Sequence, residues 1–186
     1  ILFYDPPQHT SLRRHTNKWF TPKLVKDWVQ HTVDVAEAAL DLIDEDGYIE
    51  AHHHICVVPT HVTMCRVLGV AEDDIDLATL NSLKIVGMQT PAATQADKDR
   101  AKEGFEWLFA KCQAMIEEKR ANPGEGLLDA MLKLEQAGEM TSREVIQTLV
   151  LLYFSGAPNP AYVTAAILEH FARDPDLYDL YRTQPD

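Results

Sequence analysis

A histidine and an arginine four positions apart are the first residues in the chain whose types and spacing could hold a charged ligand. His9 and Arg13 share one face if this stretch is helical, because residues four apart are neighbours on a helix surface. An arginine guanidinium can grip a carboxylate through two parallel hydrogen bonds, so this face could bind an acidic group. The alternative is an ordinary solvated face, where an arginine on a helix usually lies.

The sequence SGAPNP, at residues 155–160, is the second unusual stretch. Pro158 and Pro160 each lack an N–H and crowd the carbonyl four residues earlier, and residues before proline disfavour helical dihedrals. The stretch therefore predicts two nearly collinear helices separated by a gap. Asn159 followed by Pro160 is a good N-cap and first-turn pair for the second helix, over 161–173.

Such a gap could receive a ligand. Gly156 would let another group approach the backbone closely. Carbonyls near Phe154 and Gly156 would lose their helical partners, so water or a ligand would have to satisfy them. The alternative is a plain corner between two helices.

The rest of the chain has apolar residues at helical spacing, which predicts a mainly α fold without repeats or a domain boundary. We expect residues 88–94 to form a loop. The first predicted helix runs from Thr21-Pro22 to near Gly47, and further helices are predicted over 54–68, 73–85 and 95–120. A short helix around 127–132 should end at Gly138. The last two predicted helices begin at a Thr141–Glu144 capping box and at Asp174-Pro175.

Composition limits the classes of function. The chain has 186 residues, 46% of them hydrophobic, and a formal net charge of −12, which argues against nucleic acid as a partner. Its apolar stretches are shorter than the roughly 20 residues that a membrane-spanning helix needs, and no leader peptide opens the chain. Cys56, Cys65 and Cys112 form no CxxC pair and lie in apolar helical patterns, as buried thiols do in a reducing cytoplasm. We therefore expect a soluble cytoplasmic protein.

The first 30 residues form a basic segment in this acidic chain. A solvated helix face would explain the segment, and a docking surface for an acidic partner would explain it equally well. Its cations are Arg13, Arg14, Lys18, Lys23 and Lys26, against the acids Asp5 and Asp27.

A histidine-rich segment could suggest a metal site. His52, His53 and His54 are followed by His61 and Cys65, and imidazole and thiolate are good zinc ligands. Successive residues on a helix point in different directions, however, and no ordered ligand spacing such as HExxH occurs. We interpret these histidines as structural or surface residues and predict no metal ligand within the chain.

Three passages in register resemble bacterial cytochromes P-450. DPPQHTSLRR at 5–14, followed by Phe20-Thr21-Pro22, resembles the passage that leads into the C helix of that family. Residues 101–145 resemble its G helix, H helix and the start of its I helix. LLYFSGAPNPAYVTAAILEHFARDPD, at 151–176, resembles the rest of the I helix and the turn into the J helix. The resemblance implies a partial cytochrome P-450 fold in which residues 1–186 are one fragment, from before the C helix to the J helix.

The resemblance also implies roles for individual residues. His9 and Arg13 match positions that hydrogen-bond a haem propionate. Gly156 matches the glycine of the I helix. Leu151 and Phe154 match positions that line the substrate pocket, and Thr90, between the F and G helices, matches another substrate-facing position.

The chain departs from the family at its proton-relay pair, because Pro158 stands at the position of the acid and Asn159 at that of the alcohol. Proline cannot relay a proton, and the amide of Asn159 does not titrate in the useful range. Asn159 and Gly156 are the candidate catalytic residues, and with Pro158 and Asn159 in place of the relay pair we predict that proton delivery relies on ordered water or on the substrate. Use of peroxide, or a reaction other than hydroxylation, is the alternative.

The implied parent protein binds haem b and oxidises a small hydrophobic substrate with O2, using electrons from a ferredoxin-type partner that docks near the C helix. The family's thiolate loop is not in this chain, and none of the three cysteines lies in such a loop. We expect the ligand elsewhere in a longer polypeptide, and the alternative is a degenerate relative. A haem-free cytochrome P-450-like accessory protein is the second hypothesis for function, and an unrelated helical ligand-binding domain is the third.

Overall fold

The computed structural model describes residues 4–184, apart from the side chains of Lys23, Leu24 and Asp27. Over this range the chain forms nine α-helices and no strand. None of these helices is both long and apolar enough to cross a membrane. The helices are α1 (Gln8–Asn17), α2 (Pro22–Ala39), α3 (Val58–Leu68), α4 (Ile75–Val86), α5 (Gln95–Ala121), α6 (Leu127–Gln136), α7 (Ser142–Gly156), α8 (Pro158–Arg173) and α9 (Pro175–Thr183).

Local capping signals set where several helices begin, as the sequence predicted. Thr21 has an extended backbone immediately before Pro22. At the start of α7 the backbone N–H of Glu144 donates to Thr141 Oγ1 at 3.2 Å, and the Thr141 N–H donates to Glu144 Oε2 at 2.8 Å. The Asp174 carboxylate accepts from the Leu177 N–H ahead of α9. Each of these bonds satisfies an N–H that has no partner inside its helix.

The helix that begins at Pro22 ends earlier than predicted. Regular α-helix stops at Ala39, one 3₁₀ turn (Leu40–Leu42) follows, and Gly47 lies in a separate turn with φ of 84°. In that turn the Asp44 carboxylate accepts from the N–H groups of Asp46 and Tyr48 at 3.1 and 2.8 Å. An aspartate side chain that accepts backbone N–H bonds stabilises a turn in place of a helix. The prediction that the helix ends near Gly47 was therefore wrong, because the Asp44 turn follows the helix.

The helix predicted over 54–68 has an irregular start. A π-helical segment, His52–Val57, precedes α3, and Gly69 ends α3 in the left-handed conformation with φ of 79°. The carboxylate of Glu50 accepts from the His53 N–H at 2.5 Å at the beginning of the segment. Cys56 and Val57 are buried against Ala161 of α8, so this segment anchors the second half of the broken helix.

The main core lies where α3, α4, α5, α6 and α7 meet. Its members follow the apolar periodicity of the sequence, and burial of these side chains is the principal stabilising contribution. They include Cys65 and Leu68 of α3, Ala78 and Ile85 of α4, Leu108, Cys112, Met115 and Ile116 of α5, Leu127, Leu128, Met131 and Leu132 of α6, and Val145, Leu149, Val150 and Tyr153 of α7.

Helices α4 and α5 form an antiparallel pair joined by the loop predicted over 88–94. Lys111 forms an ion pair with Asp74 at one end of the pair. At the other end Lys84 Nζ lies 3.4 Å from Glu103 Oε2. The two helices come close together at Gly104, where the absence of a side chain leaves room for the backbone of α4.

His61 of α3 is completely buried, with Nδ1 2.9 Å from the carbonyl oxygen of Val57. Its Nε2 has no partner among the described residues. Burial lowers the pKa of His61 from 6.5, because the interior disfavours the charged imidazolium. The unfolded chain therefore binds this proton more readily than the folded chain does.

We predict that His61 makes the protein lose stability as the pH falls below 6.5, by up to about 1.4 kcal/mol per pH unit. Above that pH the histidine is neutral in both states and the loss is absent. Urea unfolding of the wild type and of His61→Asn at about pH 7 and pH 5 measures this effect, since asparagine can still donate to Val57 without titrating. The variant should show a smaller drop between the two pH values than the exposed control His52→Asn, and equal drops would contradict the prediction.

Candidate functional site

The helix break at 155–160 is narrower than the sequence suggested. Ala157 is the single residue between α7 and α8, with φ of −90° and ψ of −53°, and α8 begins at Pro158 instead of at residue 161. Both prolines then fall in the first turn of α8, where N–H groups have no partner inside the helix in any case. Two prolines in one turn therefore interrupt the helix without separating its halves by a wide gap.

Asn159 is not the N-cap of the second helix, and that prediction was wrong. It lies within the first turn of α8, and its side-chain Nδ2 donates to the carbonyl oxygen of Ser155 at 2.7 Å. The side chain is exposed and bridges the two helices across the junction. Asn159 therefore completes the backbone hydrogen bonding of α7 instead of starting α8.

Three residues at helical spacing form a continuous stripe on this side of the broken helix. Leu151, Ser155 and Asn159 are each four positions apart, and Ser155 Oγ donates to the Leu151 carbonyl oxygen at 2.7 Å. Asn159 lies beyond the break, and its side chain bonds the Ser155 carbonyl, so hydrogen bonds join the three residues in a row. The sequence interpretation missed Ser155, although its i, i+4, i+8 spacing with the two predicted residues could have indicated it.

Phe154 extends this face with an aromatic ring. The centroid of the ring lies 5.8 Å from that of Phe105 of α5. Both Phe154 and Leu151 are half-buried. This part of α7 therefore presents a mixed surface, which is apolar at Leu151 and Phe154 and carries a hydroxyl at Ser155.

Gly156 lies on the side of α7 that faces α3. A Cβ added there would lie 2.1 Å from Cε of Met64, so the side chain of this α3 residue occupies the space beside the glycine. The close approach that the sequence predicted at Gly156 is therefore made by a neighbouring helix. A contact of Gly156 with a cofactor, and a part for it in catalysis, stay predictions.

Helix α1 lies beside the first half of α7. Tyr4, just before α1, donates from its hydroxyl to Gln147 Oε1 at 3.0 Å. Gln8 Nε2 donates to Glu144 Oε1 at 3.2 Å. These bonds link α1 to the helix that carries Leu151 and Ser155 one and two turns beyond Gln147.

His9 and Arg13 both lie on α1, one turn apart. His9 is half-buried, whereas Arg13 is exposed and has no carboxylate partner in the part of the chain that the structure describes. A guanidinium in this state is free to take an external carboxylate. The chemistry of the pair fits an acidic group, and the contacts Gln8–Glu144 and His15–Glu139 place the pair beside the beginning of α7.

Thr90 makes no hydrogen bond to any of the other predicted site residues that the structure describes. It is exposed in the α4–α5 loop, where its Oγ1 accepts from the Ala92 N–H at 3.3 Å. Its hydroxyl thus supports the turn of its own loop, and the role in substrate binding stays a prediction.

The three cysteines do not offer a thiolate. All are free and buried. Burial raises the pKa of Cys65 to about 11 and that of Cys112 to about 12, and it also raises the pKa of Cys56. All three thiols lie in hydrophobic clusters, two in the main core and Cys56 beside Ala161, so none is exposed to an external iron in this structure. Within residues 4–184 no three His, Cys, Asp or Glu side chains are grouped to hold a metal ion.

The basic segment includes α1 and the first part of α2. Arg13, Arg14, Lys18 and Lys26 are exposed, and the side chain of Lys23 lies outside the described residues. Its four described cations are therefore available to an external partner.

The all-α fold and the long helix broken at one residue agree with the mainly α fold that the resemblance implies. No family model matches the chain. It is 23% identical to a putative cytochrome P450 of Bacillus subtilis, over 100% of this chain and 48% of that protein. It is 24% identical to nocardicin C N-oxygenase of Nocardia uniformis subsp. tsuyamanensis, over 100% of this chain and 46% of the relative.

A solved structure agrees with these relatives. The crystal structure of CalO2 superposes with a TM-score of 0.88 at 22% identity, over 100% of this chain and 47% of CalO2. The resemblance to bacterial cytochromes P450 is thus confirmed over the whole chain, whose fold is that of the corresponding part of these proteins. The chain spans about half the length of the curated relatives it matches.

Proposed function

We propose that residues 1–186 form part of one cytochrome P450 domain, and that the complete polypeptide is a haem-dependent monooxygenase. The observation that carries this proposal is the mixed face of α7, which lies on the helix that α1 and its free Arg13 flank. The relatives named above include an N-oxygenase, which supports the class of reaction. Three buried, unpaired thiols are consistent with a reducing cytoplasm as its location.

Haem b is the proposed cofactor, with Arg13 and His9 holding a propionate. When bound, haem supplies the activation of O2. The residues of this chain would orient the cofactor through charge-assisted hydrogen bonds and shield its face from bulk water.

We propose a small hydrophobic substrate, because the side chains beside the mixed face are apolar. Leu151 and Phe154 would contact it, and the ring of Phe105 fixes the position of Phe154. Thr90 would contact it from the α4–α5 loop. The shape of the pocket would depend on how that loop lies over α7.

Proton delivery would not use an acid and an alcohol at Pro158 and Asn159. Proline has no proton to give, and the Asn159 amide is already engaged with the Ser155 carbonyl. Ordered water or the substrate would carry protons instead, and peroxide use is the alternative route.

The redox partner would be an acidic ferredoxin-type protein that docks on the basic segment, since opposite charge accelerates encounter. We predict that Lys18→Glu combined with Lys26→Glu lowers the rate of association with such a ferredoxin about 10-fold at low salt and removes most of its salt dependence. Stopped-flow electron transfer at several ionic strengths measures the change.

The matched control for the charge reversals combines Lys98→Glu with Lys102→Glu, which changes the net charge by the same amount at two exposed lysines of α5. It should leave the association rate within about 2-fold. Equal effects of the control pair and of the Lys18 and Lys26 pair would remove the argument for docking at the basic segment.

The absorbance spectrum of the reduced, carbon-monoxide-bound complete polypeptide tests the proposed function. A thiolate-type band is expected. The absence of haem from the purified polypeptide, even after haem is supplied, would favour a haem-free accessory protein instead. The loss of the acid and alcohol residues at Pro158 and Asn159 is compatible with that second candidate.

A further inference from the structure

We propose that Ser155, and not Asn159, supplies the hydroxyl group that hydrogen-bonds a small ligand on the open face of the haem. The inference rests on the proposed function, which it deepens by naming the residue that meets the ligand. It assigns Asn159 a different task, which is to hold the backbone at the junction of α7 and α8.

Ser155 lies on the same side of α7 as Leu151. On α7, with about 100° per residue, Leu151 lies about 40° from Ser155 and Gly156 about 100° away. The space beside Gly156 is occupied by Met64 of α3, so that direction leads into the protein. The direction of Ser155 is that of the half-buried surface shared with Leu151.

The Ser155 hydroxyl has hydrogen-bonding capacity that its own helix does not use. Its Oγ donates to the Leu151 carbonyl oxygen at 2.7 Å, which leaves both lone pairs of the hydroxyl free to accept. The hydroxyl can also rotate and donate outward at low cost, because in a regular helix the same carbonyl accepts from the backbone N–H of residue 155. Ser155 can thus both accept from a ligand or water and donate to one.

The side-chain amide of Asn159 is already hydrogen-bonded to the backbone. Its Nδ2 donates to the Ser155 carbonyl oxygen at 2.7 Å, next to two prolines that offer the backbone no N–H. Turning this amide toward a ligand would leave that carbonyl without its partner, which costs free energy where the carbonyl is shielded from water. Asn159 is therefore a positioning residue for the carbonyl that precedes the break.

The test uses the complete, haem-loaded polypeptide with the variants Ser155→Ala, Ser155→Thr and Asn159→Ala. Thr164→Ala is the matched control, because Thr164 of α8, beyond the helix break, makes the same kind of bond to the carbonyl four residues earlier, at 2.9 Å. The first readout is the C–O stretching frequency of the reduced carbon-monoxide complex, which needs neither substrate nor turnover. The second is the amount of product formed per electron consumed.

Loss of a hydrogen bond to the bound ligand should raise the C–O frequency in Ser155→Ala and lower product per electron about 10-fold or more. Threonine at 155 should restore both values, because it keeps the hydroxyl. Asn159→Ala should leave the frequency unchanged. A frequency that moves in Asn159→Ala and not in Ser155→Ala would overturn the proposal, as would equal values in Ser155→Ala and Thr164→Ala.

A polypeptide that binds no haem would show no carbon-monoxide complex in any variant or in the wild type. That result would overturn the proposed function, and with it the ligand role of Ser155. If the wild type forms a normal carbon-monoxide complex and Ser155→Ala has the same C–O frequency, only the role of Ser155 would be overturned.

Discussion

Replacing Arg13 with alanine in the complete, haem-loaded polypeptide should weaken haem retention about 10- to 100-fold. A hydrogen bond to a charged group contributes about 1.5 to 3 kcal/mol, and each 1.4 kcal/mol is a factor of ten. Arg13 is exposed and without a carboxylate partner among the described residues, so its whole hydrogen-bonding capacity is available to a propionate. Transfer of haem to an excess of an apo-globin, followed by absorbance, measures the loss.

The control for Arg13 is its neighbour. Arg14 is equally exposed but lies about 100° away around α1, so Arg14→Ala should retain haem as the wild type does. Arg13→Lys should be intermediate, because lysine keeps the charge and loses the two-pronged geometry. If both alanine variants lose haem equally, the effect belongs to the net charge of α1 and not to a specific contact.

Replacing Gly104 with alanine should lower the free energy of unfolding by about 3 kcal/mol, the upper part of the range for overpacked sites. A Cβ at this position would lie 2.6 Å from the backbone oxygen of Asn81 and 3.0 Å from Cγ1 of Ile85. Backbone atoms cannot turn aside as a flexible side chain can. Helices α4 and α5 would therefore have to separate along their whole contact.

Urea unfolding of the complete polypeptide measures this effect, with Gly87→Ala as the control. Gly87 ends α4 with φ of −55°, which alanine adopts readily, and its added Cβ would meet backbone oxygens no closer than 3.4 Å. Its substitution should be neutral or stabilising by up to about 1 kcal/mol. A Gly104→Ala protein as stable as Gly87→Ala would show that the two helices are less tightly packed than the structure indicates.

The two sides of α7 have different tasks. Tyr153 points into the core beside Cys65, with its hydroxyl 3.8 Å from the thiol sulfur, and Met64 fills the space at Gly156. The other side carries Leu151 and Ser155. Because the core side is packed against α3 and α5, α7 is held in place and its outward groups are presented in a defined geometry.

Local sequence determined the helices and most of their starts. The Thr141–Glu144 capping box and Asp174 bond N–H groups within three residues, and Pro22 fixes its own backbone at the first position of α2, so these effects can be predicted without knowing the fold. The apolar periodicity likewise predicted the mainly α fold. The three passages that resemble bacterial cytochromes P450 indicated the family from sequence alone, and the curated relatives and the fold agree with that resemblance.

Tertiary structure decided the geometry at the helix break. That Met64 fills the space at Gly156 depends on how α3 packs on α7, and these residues are 92 positions apart in the chain. The sequence showed that a helix must break near two prolines, because proline lacks an N–H wherever it lies. It could not show that Ser155 takes the outward direction, since which side of a helix faces outward depends on what packs against the other side.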